Sequence, residues 1–227
     1  MSRLIVETII RVGIFLAVLG ASLFGCAGTY DWPMAWAYLG VYVVGFAAGT
    51  IALNQVHPGL LAERMHMGPG VPVWDVVLVV LLIVSGFFAT AVVAGLDVRW
   101  AWSYPLSRDL KITAFIVGVL GYALAFWAML ANKFFSGVVR LQKERGHFVV
   151  TGGPYRFIRH PGYTGFGLFV LMIPVLLGSL WALVPAGFAV VVFVVRTAME
   201  DKFLHKNLKG YADYADRVRY RLVPGVW

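Results

Sequence analysis

Residues 163–195 have the sequence YTGFGLFVLMIPVLLGSLWALVPAGFAVVVFVV, and this uncharged stretch decides the fold. As a single α-helix its 33 residues would extend about 50 Å. The hydrocarbon core of a bilayer is roughly 30 Å thick, so one helix would be too long even when tilted. Gly178 and Ser179 lie near the middle, between Pro174 and Pro185. We therefore predict two short helices joined by a tight turn, a hairpin that dips into or crosses the membrane.

Four more apolar stretches precede the hairpin, and each is near the roughly 20 residues that a helix needs to cross a bilayer. They cover residues 9–27, 35–53, 74–95 and 110–131. Arg11, Asp75 and Lys111 lie close to the ends of these stretches, where side chains can extend to the interface. The first stretch lacks the cleavage site of a secretory signal, so we expect it to be retained. The predicted fold class is all-α, a polytopic transmembrane protein of about six membrane helices.

The distribution of charge predicts the orientation of the chain. Only 13% of the residues are charged, against about 25% in a soluble domain, and the net charge is +8. Segments 132–159 and 196–227 hold six and seven of the 19 Lys and Arg residues, and a hairpin places both on one side. Cytoplasmic segments carry an excess of Lys and Arg, so we predict that both termini are cytoplasmic. Because orientation accounts for the basic residues, the pattern disfavours nucleic acid as a partner.

The C-terminal tail predicts an amphipathic segment. From Glu200 onward, charged residues alternate with aromatic and aliphatic ones, several of them at helical spacing. Gly210 interrupts the pattern and Pro224 ends it. We divide the chain into residues 1–131, which hold transmembrane helices 1–4, and residues 132–227, which hold a loop, the hairpin and the tail.

The residues whose side chains could bind a ligand or take part in a reaction are concentrated in segment 145–165, RGHFVVTGGPYRFIRHPGYTG. Gly152, Gly153 and Pro154 favour a turn, and Pro161 suits the first turn of the following helix. The free N–H groups of that helix could hold a carboxylate. The alternative is a basic interfacial loop whose aromatic side chains anchor it to lipid headgroups.

Arg196 and Glu200 are the second candidate pair, because a spacing of four places them on one helix face. They directly follow the uncharged run, and charged groups near bilayer depth usually face a protein interior or a functional cavity. A pair that extends to the interface is the alternative.

Several motifs of other enzyme classes are missing from the sequence. It contains no glycine-rich nucleotide loop, no Gly-x-Ser-x-Gly element and no Cys and His residues at zinc spacing. His57 and His66 share a loop rich in Pro and Gly, but two histidines do not make a metal site, so we predict none. The lone Cys26 excludes a disulfide within the chain. An enzyme with this sequence must build its cofactor site from membrane helices and a loop.

Residues 130–227 resemble the isoprenylcysteine carboxyl methyltransferases and their bacterial relatives, within the wider group that includes phospholipid methyltransferases. The matching elements are, in order, His147 with Val149 and Val150, TGGPY at 151–155, RHPGY at 159–163, Gly165, Arg196, Glu200, Tyr211, Tyr214 and Pro224. The first hundred residues match only as a set of spans.

The resemblance implies a methyltransferase that uses S-adenosyl-L-methionine in a pocket at the cytoplasmic face, covered by the C-terminal segment. It places Arg196 and Glu200 on the side of the methyl acceptor. A family cofactor position that is often Gln aligns with Arg140, which could reach the cofactor carboxylate. A bacterial inner membrane would be the location. The implied cofactor contacts are His147, Phe148, Val149, Val150, Tyr155, His160, Pro161, Gly162 and Tyr163.

The acceptor implied by the resemblance is lipophilic or lipidated, drawn from a membrane, and most simply a carboxylate. An anionic acceptor needs no general base, so orientation would be the main contribution of the protein. Arg196 would hold the acceptor, and Glu200 would aim the guanidinium. The alternatives are a lipid amine or small thiol as acceptor, a membrane reductase with a nicotinamide cofactor, or a transporter. Spans one to four offer a transporter only small polar residues such as Ser85 and Thr90.

Overall fold

The structure is a computed structural model that describes residues 3–65 and 68–227, and every regular element in this part of the chain is helical. Short 3₁₀ turns at Lys143–Arg145 and Gly153–Arg156 interrupt the long loop after the fourth span. The helices are α1 (Arg3–Ala27), α2 (Pro33–Val56), α3 (Pro58–Met65), α4 (Val73–Ile83), α5 (Thr90–Trp100), α6 (Arg108–Ala131), α7 (Pro161–Leu177), α8 (Leu183–Asn207) and α9 (Tyr211–Arg217).

Five helices are long and apolar enough to cross a membrane. They are α1, α2, the continuous helix formed by α4 and α5, α6 and α8, while α7 is a shorter apolar helix of 17 residues. The prediction of an all-α polytopic protein is confirmed. We call the end of the bundle that carries segments 132–159 and 196–227 the basic end.

A π-helical turn at Val84–Ala89 joins α4 to α5. The hydroxyl of Ser85 donates to Leu81 O at 2.6 Å, and that of Thr90 donates to Ser85 O at 2.8 Å. Both hydroxyls are therefore bonded to the backbone of their own helix, as is usual for Ser and Thr inside a membrane helix.

The predicted hairpin is present, but its second helix is longer than expected. Gly178 ends α7 in the left-handed conformation, with φ of 83°, a backbone geometry that favours glycine. The prediction of two short helices is wrong for α8, which continues through the charged residues to Asn207. Arg196 and Asp201 are buried there and bonded to other elements, so the helix does not end where the apolar run ends.

Other helix ends also differ from the ends of the predicted apolar stretches, because the helices extend into polar sequence. The first helix begins at Arg3, where Arg3 pairs with Glu7 across one turn. The short helix α3 was not predicted. The tail behaves as expected, since Gly210 separates α8 from α9.

The helices α6 and α7 pack through small residues. A Cβ atom added to Gly165 would lie 2.6 Å from Ala125 N and directly against Gly121 O, so only glycine fits. Close backbone approach of this kind drives helix association where lipid provides no hydrophobic force. The buried core draws on both segments of the chain, as its members Leu19, Tyr38, Ala91, Phe169, Ile173 and Phe193 illustrate.

The α6–α7 contact gives a stability prediction. We expect Gly165→Ala to lower the thermal unfolding temperature in detergent, because overpacking of this kind costs about 1–3 kcal/mol. Gly187→Ala is the control, since an added Cβ there meets nothing within 4 Å. Equal unfolding temperatures for the two variants would contradict the close packing of α6 on α7.

Candidate functional site

An open cleft of about 810 Å³ lies at the basic end, between the long loop, the start of α7 and the end of α8. Ten of the twelve predicted site residues line it, and Pro161 and Arg196 do not. The ten are Arg140, His147, Phe148, Val149, Val150, Tyr155, His160, Gly162, Tyr163 and Glu200.

Pro161 and Arg196 lie directly behind the cleft wall. Pro161 is buried in the first turn of α7, the position expected for it. The guanidinium carbon of Arg196 lies 5.1 Å from the centre of the ring of Tyr163, which lines the cleft. At this distance a cation–π contact supports the ring.

The partner of Arg196 is Asp75, which corrects the predicted pairing with Glu200. Arg196 Nε donates to Asp75 Oδ1 at 2.7 Å and Nη2 to Asp75 Oδ2 at 3.2 Å, while Nη2 also donates to Gly137 O at 3.0 Å. The Val139 N–H donates to Asp75 Oδ2 at 2.6 Å. Asp75 was expected to extend to the interface, but it is fully buried. The pair thus joins α4, α8 and the loop.

Glu200 is bonded to Tyr163 instead. The Tyr163 hydroxyl donates to Glu200 Oε2 in a short hydrogen bond, and both side chains line the cleft. Glu200 therefore does not aim the Arg196 guanidinium by direct contact. Among the described residues that line the cleft, Glu200 is the only acidic one.

Sequence reasoning missed Asp201, which is buried beside the cleft and has a cluster of donors around it. Tyr211 OH donates to Asp201 Oδ1 and Arg221 Nε to Oδ2, both at 2.9 Å. His160 Nε2 and Arg159 Nε lie 3.4 and 3.2 Å from Oδ1. A signal was present in the sequence, since Asp201 follows Glu200 close to the end of the apolar run, where charged residues usually have a specific partner.

The tail is fixed over the cleft loop by backbone hydrogen bonds. Arg159 N–H donates to Tyr220 O and His160 N–H to Arg221 O, both at 2.9 Å. The Tyr214 hydroxyl donates to Tyr155 O at 2.8 Å. The C-terminal segment is therefore held against the loop that lines the cleft, and its role as the cover of a cofactor stays a prediction.

Arg140 is bonded to two carboxylates of the protein. Its Nε and Nη2 donate to the two Glu63 oxygens at 2.6 Å each, and Nη2 also donates to Glu144 at 2.6 Å. The bond to Glu63 is the main reason why the pKa of Arg140 is raised. This guanidinium connects α3 to the loop, and its contact with a cofactor carboxylate stays a prediction.

Aromatic rings form one wall of the cleft. His147 stacks on Phe134 with ring centres 4.3 Å apart, and Phe148 meets Phe134 edge-on at 5.2 Å. Burial, followed by the charges of Arg140 and Arg145, lowers the pKa of His147 to about 4. His147 is therefore neutral at physiological pH, and its Nδ1 accepts the Gln142 N–H at 3.2 Å.

The cleft residues fit a zwitterionic ligand with a flat aromatic part. Arg159 Nε is buried and has no hydrogen-bond partner of acceptable geometry within the described chain, although Asp201 lies nearby. Arg159 therefore offers a positive donor, Glu200 a negative acceptor, and Phe134 and Phe148 a stacking surface. Among the described residues no group of His, Cys, Asp or Glu could hold a metal ion, and His66 lies outside them.

Fold and site together define a polytopic helical membrane protein with a polar, aromatic-lined cleft at its basic end. Residues 113–206 match the model of the isoprenylcysteine carboxyl methyltransferase (ICMT) family. That segment includes the cleft loop, the α7–α8 hairpin and Glu200. Over these residues the chain is therefore similar to the ICMT family.

The chain is similar to several curated relatives. Protein-S-isoprenylcysteine O-methyltransferase B of Arabidopsis thaliana is 32% identical over 105 residues, which cover 44% of this chain and 52% of the relative. Protein-S-isoprenylcysteine O-methyltransferase of Saccharomyces cerevisiae is 29% identical over 126 residues, 52% of this chain and 51% of the relative. The chain thus spans about half the length of these relatives.

The Asp75–Arg196 pair predicts unequal costs of substitution. Asp75→Ala should destabilise the protein by about 3–5 kcal/mol, because it leaves a buried guanidinium without its counter-charge. The double variant Asp75→Leu with Arg196→Met should lose less, since both charges are removed. Reversible unfolding in mixed detergents measures the difference. A double variant less stable than Asp75→Ala would contradict a coupled pair.

His147 predicts a pH dependence of stability. Unfolded His147 gains a proton below about pH 6.5, whereas the folded residue stays neutral down to about pH 4. Because the unfolded state binds more protons in this window, stability falls as the pH is lowered from 6.5 to 4. We expect His147→Gln to lack this component, so the thermal unfolding temperature should fall more steeply for the wild type. Parallel pH curves would show that His147 titrates normally.

Proposed function

We propose that this chain is an S-adenosyl-L-methionine-dependent membrane methyltransferase that methylates the carboxylate of a lipophilic or lipidated acceptor. One observation carries the proposal: the segment that matches the ICMT family also builds the cleft whose charges and aromatic rings fit this methyl donor. The names of the relatives support a carboxylate on an isoprenylated cysteine as the acceptor class.

The donor would lie along the aromatic wall. Phe134 and Phe148 would cover the adenine, an arrangement in which stacking contributes about 1–3 kcal/mol per base. Arg159 lines the cleft, and its Nε makes no hydrogen bond although Asp201 lies 3.2 Å away, which supports a bond from this guanidinium to the carboxylate of the donor. Glu200 would face the positive part of the donor, where opposite charges attract.

The donor supplies an electrophilic methyl group on a positive sulfur. An acceptor carboxylate oxygen forms the new bond to the methyl carbon while the carbon–sulfur bond breaks and its electron pair stays on sulfur. The carboxylate carries no proton at neutral pH, so this transfer needs no general base. The contribution of the protein is alignment, which can be worth about 7–11 kcal/mol in favourable cases.

Arg196 and Glu200 belong to the acceptor side in this proposal, with roles that follow from their bonds. Arg196 is a positioning residue, because it lies behind Tyr163 and reaches the cleft through that ring and Gly137. Glu200 and Tyr163 line the cleft itself. The basic end would be cytoplasmic in a bacterial inner membrane, as the Lys and Arg distribution and the resemblance indicate.

Calorimetric titration with S-adenosylhomocysteine tests the donor site. We expect micromolar binding by the detergent-purified protein, and at least fivefold weaker binding by Phe148→Ala, which loses a stacking surface. Phe157→Ala is the matched control, because Phe157 lies in the same loop, is 61% exposed and is not part of the cleft lining. No binding to folded protein, or equal losses in both variants, would refute the proposed site.

The pH profile of turnover tests the acceptor. For a lipophilic carboxylate we expect kcat/KM to stay level between about pH 6 and 9, because the acceptor is fully ionised and His147 stays neutral in this range. An amine must lose a proton before transfer, so its profile would rise with pH. A rising profile with the carboxylate would require a base and would contradict this mechanism.

A further inference from the structure

A second cavity of about 1,250 Å³ lies within the transmembrane bundle. It is lined by α1, α2 and α6 with contributions from α3, and its walls are mainly apolar. On α2 the lining extends from Gly45 to Leu53, which corresponds to about 12 Å along the helix axis. These dimensions suit an extended hydrocarbon chain that enters from the bilayer.

The charged part of this cavity lies at the basic end. Arg11 and Arg64 line it, both are exposed, and the described residues of the lining include no Asp or Glu. The Arg64 Nη1 donates to Phe135 O at 3.3 Å. A guanidinium has five N–H groups in a planar fork, which leaves further donors of the geometry that a phosphate accepts in pairs.

The net charge of the headgroup determines which lipid such a cavity prefers. Lipid tails are as apolar as the cavity walls, so burying a chain distinguishes little between lipids. A headgroup beside exposed arginines is distinguished by its net charge, and basic pockets between transmembrane helices bind anionic headgroups. The ligand that fits is therefore amphiphilic and carries negative charge at one end.

The second cavity is separate from the cleft. No described residue lines both of them. Two contacts connect the sites, since Arg64 bonds to Phe135 and the neighbouring Glu63 bonds to Arg140, and both partners line the cleft.

We propose that this cavity binds an anionic phospholipid of the surrounding membrane, with an acyl chain between α1, α2 and α6 and its phosphate at Arg64. The bound lipid holds α3 against the bundle and thereby supports the Phe135 and Arg140 side of the cleft. This inference does not depend on methyl transfer and is tested without it.

Native mass spectrometry of the full chain tests the site. The protein is exchanged from detergent with phosphatidylglycerol and with phosphatidylcholine of identical chains, and the bound lipid is counted. We expect at least fivefold higher retention of phosphatidylglycerol by the wild type. Arg64→Gln should reduce it to the level of phosphatidylcholine, and Arg156→Gln should retain it. Arg156 is exposed at the same end and lies outside the cavity lining.

A filling substitution provides the second test. Val12→Trp places a large ring in the cavity and should abolish retention, whereas Val18→Trp, on the exposed face of the same helix, should not. Equal retention of the two lipids by the wild type, or equal losses in a variant and its control, would overturn the proposal.

Competition separates the lipid from other occupants. Glycerol 3-phosphate, which has the headgroup without chains, should not displace phosphatidylglycerol. Displacement of phosphatidylglycerol from the wild type by an S-prenylcysteine carboxylate would assign the cavity to the methyl acceptor and overturn the lipid site. Binding of S-adenosylhomocysteine is measured on the same samples, so a failed lipid site is distinguished from a failed donor site.

Discussion

The buried ion pair between Asp75 and Arg196 is the contact on which the cleft depends. It joins the beginning of one span to the interior of another. Arg196 also donates to Gly137 O of the loop, and Asp75 also accepts from the Val139 N–H. Removing two charges from water is costly, and only full hydrogen bonding offsets that cost. The loop that walls the cleft is therefore held by the same pair that holds the helices together.

Three charged residues near the end of α8 have three different environments. Arg196 is bonded inside the bundle to Asp75, Glu200 lines the cleft, and Asp201 receives donors from the tail and from the start of α7. Different positions on a helix point in different directions, so this stretch of α8 contacts the core, the cleft and the C-terminal segment at once. In the proposed reaction this arrangement aligns donor and acceptor without a catalytic base.

Local sequence patterns predicted the features that depend on interactions between residues close in the sequence. The first four long apolar helices, the turn at Gly178 and the presence of segment 145–165 in the cleft lining follow from hydropathy and turn residues. The partners of the buried charges did not follow, because Asp75 and Arg196 are 121 positions apart and Glu63 and Arg140 are 77 apart. For the same reason α8 was predicted too short, since its polar end is stabilised by residues distant in the chain.

The most direct test of the central claim is the chemical form of the transferred methyl group. Purified protein is incubated with methyl-labelled donor and a lipophilic carboxylate, and the product is treated with base. A methyl ester releases its label as methanol, so we expect most of the label to become volatile and the Phe148→Ala variant to transfer less at the same donor concentration. Label that stays bound to a nitrogen or sulfur of the product, or no transfer by protein that binds the donor, would contradict a carboxyl methyltransferase.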